Sequence, residues 1–158
     1  MPQRDGRLKE AYQQFGGGYE NGFFRWKPGQ RASFTKTVSE SDVYLFAGIT
    51  GDFNPVHVDA ISARDSIFGE RVVHGIFVAG LFSAVIGTKL PGDGTIYLEQ
   101  DVRFLLPVKI GDTVTAVVEV AEILNEEKQI LKLDTKAVNQ KNETVLDGYA
   151  VVKASVKE

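Results

Sequence analysis

The chain has 158 residues, a formal net charge of −3, 43% hydrophobic and 25% charged residues, and no cysteine. That length and balance suit one domain with a sizeable core, give no long-range pull toward nucleic acid or an anionic membrane, and rule out thiol nucleophiles, disulfides and thiolate metal sites. The two histidines lack a His-x-x-x-His spacing, so a zinc site would need carboxylates to complete it and no metal is expected.

In chain order, residues 1–30 read as an N-terminal tail, with the domain running from 31 to 158. Arg4, Arg7 and Lys9 occur without the apolar stretch of a secretory signal, which makes the cytoplasm the expected compartment. Gly16-Gly17-Gly18 is a break, and Tyr19, Phe23, Phe24 and Trp26 follow it without helical or strand period, as aromatics of a partly disordered extension packing on the domain. Gly29 ends the tail, and Arg31 to Val38 alternates as a first strand. Ser39 with Asp42 three residues on is a capping-box pattern, predicting a helix from about Glu40 through Val43, Phe46 and Ala47 that stops at Gly48. Asp59 is placed to cap a short helix through Ala60 and Ala63, and Phe68-Gly69-Glu70 turns the chain.

Gly75 to Thr88 holds no charged residue on any face. It is shorter than the ~20 residues that span a bilayer, so it reads as a core helix enclosed by protein. Gly80 and Gly87 each cost about 1 kcal/mol relative to Ala, and close approach of a sheet is the expected compensation. Lys89 suits the helix's negative end, and Pro91-Gly92 prevents its continuation.

Beyond Gly94 the pattern is antiparallel sheet. Ile96, Leu98, Val102 and Phe104 are expected on one face, with Glu99, Asp101 and Arg103 on the other. Val114, Ala116, Val118 and Val120 mark the next inward face, followed by Leu131, Leu133, Thr135 and Ala137, then Leu146, Ala150, Val152, Ala154 and Val156. Pro107 to Asp112, Asn125 to Lys128 and Asn139 to Asn142 are the turns. One apolar helix before several long one-face strands implies an α+β fold in which a sheet curls around that helix.

The chemistry-bearing stretch is Thr50-Gly51-Asp52-Phe53-Asn54-Pro55-Val56-His57. A carboxylate and an imidazole stand close together on a loop shaped by Gly, Asn and Pro, and the helix beginning at Gly75 offers backbone N–H groups to a developing negative charge. An acid/base pair beside such a helix points to chemistry on a carbonyl compound. Each residue also has a plain structural use. Asp52 can close an Asx turn with Asn54 and Pro55, and His74 is expected to brace the helix start by hydrogen bonding.

Ala47-Gly48-Ile49-Thr50-Gly51-Asp52-Phe53-Asn54-Pro55-Val56-His57, Val73-His74-Gly75 and Phe104-Leu105-Leu106-Pro107-Val108-Lys109-Ile110-Gly111-Asp112 occur in that order, and with them the chain from about residue 31 resembles the MaoC-like family of (R)-specific enoyl-CoA hydratases. The resemblance implies a hot-dog fold, a curved antiparallel sheet wrapped on one long helix, and a homodimer with active sites near the subunit interface. It implies addition of water to trans-2-enoyl-CoA to give (R)-3-hydroxyacyl-CoA, in fatty-acid oxidation, polyhydroxyalkanoate supply or another route. Neither metal nor redox cofactor is needed, and coenzyme A is part of the substrate.

Such a reaction needs a base for water at C3, an acid for C2, and donors on the thioester oxygen. By resemblance Asp52 is the base and His57 the acid, although the residues themselves leave the division open; Gly75 N–H is the oxyanion donor. Asn54 orders the loop, and Ser83 and Ile86, which could equally be helix packing, correspond to positions lining the family's acyl site. Bulky Phe77, Leu81, Phe82 and Ile86 point to short acyl chains. Arg64, Arg71, Lys89 and Arg103 are candidates for coenzyme A phosphates or plain surface charge. The competing readings are an acyl-CoA thioesterase and a non-catalytic acyl-CoA binding module; the Asp52–His57 spacing favours hydration.

Overall fold

Period-two alternation builds the larger part of the structure, a computed structural model that describes residues 25–155. The elements are β1 (Arg31–Thr37), α1 (Glu40–Thr50), α2 (Pro55–Val58), α3 (Ala60–Arg64), α4 (Gly75–Thr88), β2 (Ile96–Phe104), β3 (Thr113–Asn125), β4 (Ile130–Val138) and β5 (Thr144–Lys153). The strands form one sheet in the order β1-β3-β4-β5-β2, every neighbouring pair antiparallel. Val114, Ala116, Val118 and Val120 of β3, Leu131, Leu133, Thr135 and Ala137 of β4, and Leu146, Ala150 and Val152 of β5 are all buried, as their alternation requires.

Against that face lies α4, with Val78, Leu81, Phe82, Val85 and Ile86 buried. Side chains such as Phe82 and Ile86 each contribute about 1.5–3 kcal/mol by leaving water. The helix touches β1, β2, β3 and β4, so the sheet wraps around it. Register shifts in the β3–β4, β4–β5 and β2–β5 ladders supply the bends.

Four details differ from the sequence expectation. Helix α1 runs through Gly48 to Thr50 and ends at Gly51, whose φ of 80° is left-handed and whose N–H donates to Ala47 O at 2.8 Å. A glycine inside a helix is tolerated, whereas the αL turn is where the chain needs one. Gly80 and Gly87 do not meet a sheet, because an added Cβ would find nothing within 4 Å. Accordingly α4 is not enclosed on all sides: Ile76, Gly80 and Ser83 form an exposed stripe on the described chain. Finally, a bulge between Tyr97 and Glu99 shifts the β2 register, so Tyr97 rather than Ile96 shares the face of Val102 and Phe104.

The sheet also reaches into the segment read as tail. Trp26 joins the core at 6% exposure, and Gly29 N–H donates to Val120 O at 2.8 Å. The triple glycine, Tyr19, Phe23, Phe24 and Val156 lie outside the described residues.

Candidate active site

The site begins with local chemistry at the end of α1. Thr50 Oγ1 donates to Phe46 O at 2.7 Å and accepts the Asp52 N–H at 3.3 Å. Asp52 Oδ1 accepts the Asn54 N–H at 3.1 Å, an Asx turn, and Asn54 Oδ1 caps α2 by accepting the Val56 N–H at 3.4 Å. Pro55 opens this single turn with its φ already helical. Turn-making occupies only Oδ1, so the plain and the chemical readings of Asp52 coexist.

His57 is then fixed from across the chain. Its Nδ1 lies 2.7 Å from Val72 O. A carbonyl only accepts, so Nδ1 carries the hydrogen and the neutral ring keeps a lone pair on Nε2. That Nε2 lies 4.0 Å from Asp52 Oδ2. The gap is too long for a direct hydrogen bond. One water about 2.8 Å from both atoms would subtend roughly a right angle between them, so the two acceptors can share it. The side chain of His57 is only 12% exposed, against 51% for Asp52.

His74, expected to brace the start of α4, makes no side-chain cap hydrogen bond there. Buried at 2%, it instead donates from Nε2 to Asp52 O at 2.9 Å and stacks on His57, with ring centroids 3.8 Å apart. The bracing hydrogen bond therefore runs from the head of α4 to the α1–α2 loop and not into the helix's own first turn.

A cavity of about 470 Å³ opens beside these groups. Asn54, His57 and Gly75 line it, together with Val56, Phe68, Val72, Phe104, Leu105 and Leu106. Asp52 is not itself part of the lining. The volume falls within the ordinary range of ligand sites, about 300–1,000 Å³, and its wall is mostly apolar. Neither Ser83 nor Ile86 lines this cavity: Ser83 is exposed on α4, and Ile86 is 1% exposed in the core. Phe77, Leu81 and Phe82 are likewise absent from its wall. Among the wall residues that the sequence did not assign are Phe104, Leu105 and Leu106; they stand in the third motif, but only the fold shows that the end of β2 meets the head of α4.

The four basic candidates are engaged within the chain. Arg64 pairs with Asp65, Arg103 with Asp147 through two 3.0 Å bonds, and Lys89 donates to Ser33 O. Arg71 pairs with Glu40, and its hydrogen bond holds that carboxyl below the ordinary carboxylate range.

Asp52, His57 and His74 bring one ligand-type atom each within 4.8 Å of one another. Tetrahedral catalytic zinc takes three protein ligands. Here His74 Nε2 is committed to Asp52 O, a hydrogen bond that would have to break before that nitrogen could bind an ion.

Residues 24–144 match the MaoC like domain. The chain belongs to the MaoC-like family. This MaoC-like chain is 48% identical over 126 residues to a Rhodospirillum rubrum protein named (R)-specific enoyl-CoA hydratase, covering 80% of this chain and 86% of that one. It is 48% identical over 123 residues to a 3-hydroxybutyryl-CoA dehydratase of Methylorubrum extorquens, covering 78% and 77%. The unliganded R-hydratase PhaJ1 of Pseudomonas aeruginosa superposes with a TM-score of 0.79 at 43% identity, covering 84% of each chain. The MaoC-like protein thus has the hot-dog fold of those hydratases. Among its described residues no helix is long and apolar enough to cross a membrane.

Proposed function

We propose that this MaoC-like protein is an (R)-specific enoyl-CoA hydratase, a hydro-lyase that interconverts trans-2-enoyl-CoA and (R)-3-hydroxyacyl-CoA; a preference for short acyl chains rests on the relative named 3-hydroxybutyryl-CoA dehydratase, since the bulky α4 residues do not line the cavity. The observation that carries the reading is Asp52 Oδ2 and His57 Nε2 held 4.0 Å apart, with His57 on a cavity that also reaches Gly75. Its relatives' names agree with it.

In this reading the Asp52 carboxylate takes a proton from the shared water while its oxygen bonds to C3. The π electrons move onto C2 and the thioester oxygen, where the Gly75 N–H at the positive end of α4 stabilises the charge. The proton taken by Asp52 passes to the Nε2 lone pair of His57, which gives it to C2 while Nδ1–H stays on Val72 O, so carboxylate and neutral imidazole both end as they began. The pair passes one proton in and one out on the same side, which is syn addition. There is no net oxidation or reduction, so the proposal includes no redox cofactor, and it uses no metal.

A homodimer is part of the proposal. The exposed stripe of α4 and exposed Ile96, Phe104, Leu105 and Leu106 are apolar surface that a second copy would cover, and β2 is an edge strand. Light scattering of the purified chain reads this directly.

Activity is tested with crotonyl-CoA, the expectation being loss of enoyl absorbance without release of free thiol. Free thiol would indicate a thioesterase, and binding without reaction a binding module. Asp52→Asn and His57→Ala should each lower kcat about 10²- to 10⁴-fold with the fold retained; an Asp52→Asn variant near wild-type turnover removes Asp52 from the base role.

A further inference from the structure

We propose that His74 is a positioning residue: it pins the Asp52 peptide and presents a ring face to His57, the two histidines holding opposite tautomers. The inference deepens the hydratase reading and rests on it for its kinetic part. The motivation is a buried imidazole that the proton transfers do not use. Its Nε2 donates to Asp52 O at 2.9 Å, so the hydrogen is on Nε2. Its Nδ1 is buried and has no hydrogen-bond partner among the described residues. A hydrogen on that nitrogen would be a buried donor without an acceptor, which is costly. Nδ1 therefore bears the lone pair, and His57 has the reverse arrangement, with hydrogen on Nδ1 toward Val72 O.

A helix cap alone is a poor reason for this residue. Ser, Thr, Asp or Asn at that position would satisfy the first-turn amides, and His74 does not. What imidazole offers here is reach together with flatness. From the head of α4 the ring crosses to a carbonyl 22 residues earlier while stacking on His57 at 3.8 Å. Around it stand the Asp52 carboxylate at 4.0 Å, the His57 ring and the Phe46 ring at 4.9 Å. One hydrogen bond thus ties the loop that carries the acid/base pair to the helix that carries the Gly75 amide.

The test has two parts. The chain has only two histidines, so ¹⁵N-histidine labelling of the full chain gives two imidazole rings, assigned by the variant His74→Phe. The expected spectra at assay pH show one Nδ1–H ring, His57, and one Nε2–H ring, His74; two rings of the same tautomer overturn the proposal. In crotonyl-CoA kinetics His74→Phe keeps a flat ring but loses the donor, and should lower kcat about tenfold or more, as a displaced catalytic group does, with KM changed less than about threefold. His74→Gln returns an N–H near the lost position and should recover most of that kcat. Equal losses in both variants, matching their folded fractions by circular dichroism, overturn the positioning role. A wild-type chain inactive on crotonyl-CoA refutes hydration instead, and the spectra still decide the tautomers.

Discussion

Replacing Gly75 with alanine separates the amide of this residue from its lack of a side chain. The new methyl carbon would stand 2.6 Å from both Cδ1 and Cε1 of Phe104. Carbon atoms in good contact are about 3.5–4.0 Å apart, so something must shift by roughly 1 Å. The helix is held through the buried Val78, Leu81 and Phe82, whereas Phe104 is 53% exposed at the end of β2. The ring gives way. Stability should change by less than about 1 kcal/mol, since alanine also suits a helix better than glycine. Function should suffer more, because Phe104 and Gly75 are adjacent walls of one cavity. A misplacement of about 1 Å can cost 10²-fold, comparable to loss of an oxyanion donor. Hydration of crotonyl-CoA should therefore show kcat/KM lowered about ten- to a hundredfold, with the melting temperature nearly unchanged. Adding Phe104→Ala removes the clash and should recover part of the loss. A single variant retaining more than about half of wild-type kcat/KM would refute both the contact and the role given to this end of the helix.

Gly148→Ala should act on stability instead. Its Cβ would fall 2.0 Å from Asp101 O and 2.8 Å from that carbonyl carbon, backbone atoms of the paired strand that cannot swing aside. Overpacking of this kind costs about 1–3 kcal/mol or more, and urea titration should show a lower midpoint with unchanged slope. Partial burial pushes the hydroxyl of Tyr97, a residue still 36% exposed, up from 10.0 to about 12. The unfolded chain then ionises first, so this contribution to stability is intact below pH 10 and disappears as pH rises to about 12. Tyr97→Phe should flatten the alkaline fall of the melting temperature, and an unchanged slope would mean the hydroxyl does not feel the fold.

The inward faces were legible because β3 and most of β4 read as alternation and β5 keeps Leu146, Ala150 and Val152 in register although Val145 and Val151 are buried too, and α4 because no charge interrupts it. The capping box at Ser39 and the Asp59 cap were equally visible, since both are short-range hydrogen bonds between neighbours in sequence. What escaped was set at longer range. The β2 bulge changes the face of Ile96 without any local signal, because a register is a property of two strands. Gly80 and Gly87 looked like close approach, yet a glycine in a helix has the same sequence signature whether a sheet or open space lies beyond it. Asp52 and His57 were found from one stretch, but the partner of each imidazole was not: Val72 O and Asp52 O are backbone atoms, which no residue letter announces.

That last point predicts that the site should tolerate variation around it. The loop carrying Asp52 and His57 is positioned by hydrogen bonds from His57 to Val72 O and from His74 to Asp52 O, and Val73 N–H anchors the same segment to Val108 O at 2.7 Å. None of these acceptors is a side chain, so substitutions in the apolar wall leave them in place. Val56, Phe68, Leu105 and Leu106 can therefore change size and reshape the cavity without separating Asp52 from His57. Acyl length and proton transfer are set by different parts of the structure. Enlarging the wall should move chain-length preference at constant chemistry, whereas any change to the two histidines should alter turnover for every chain length alike.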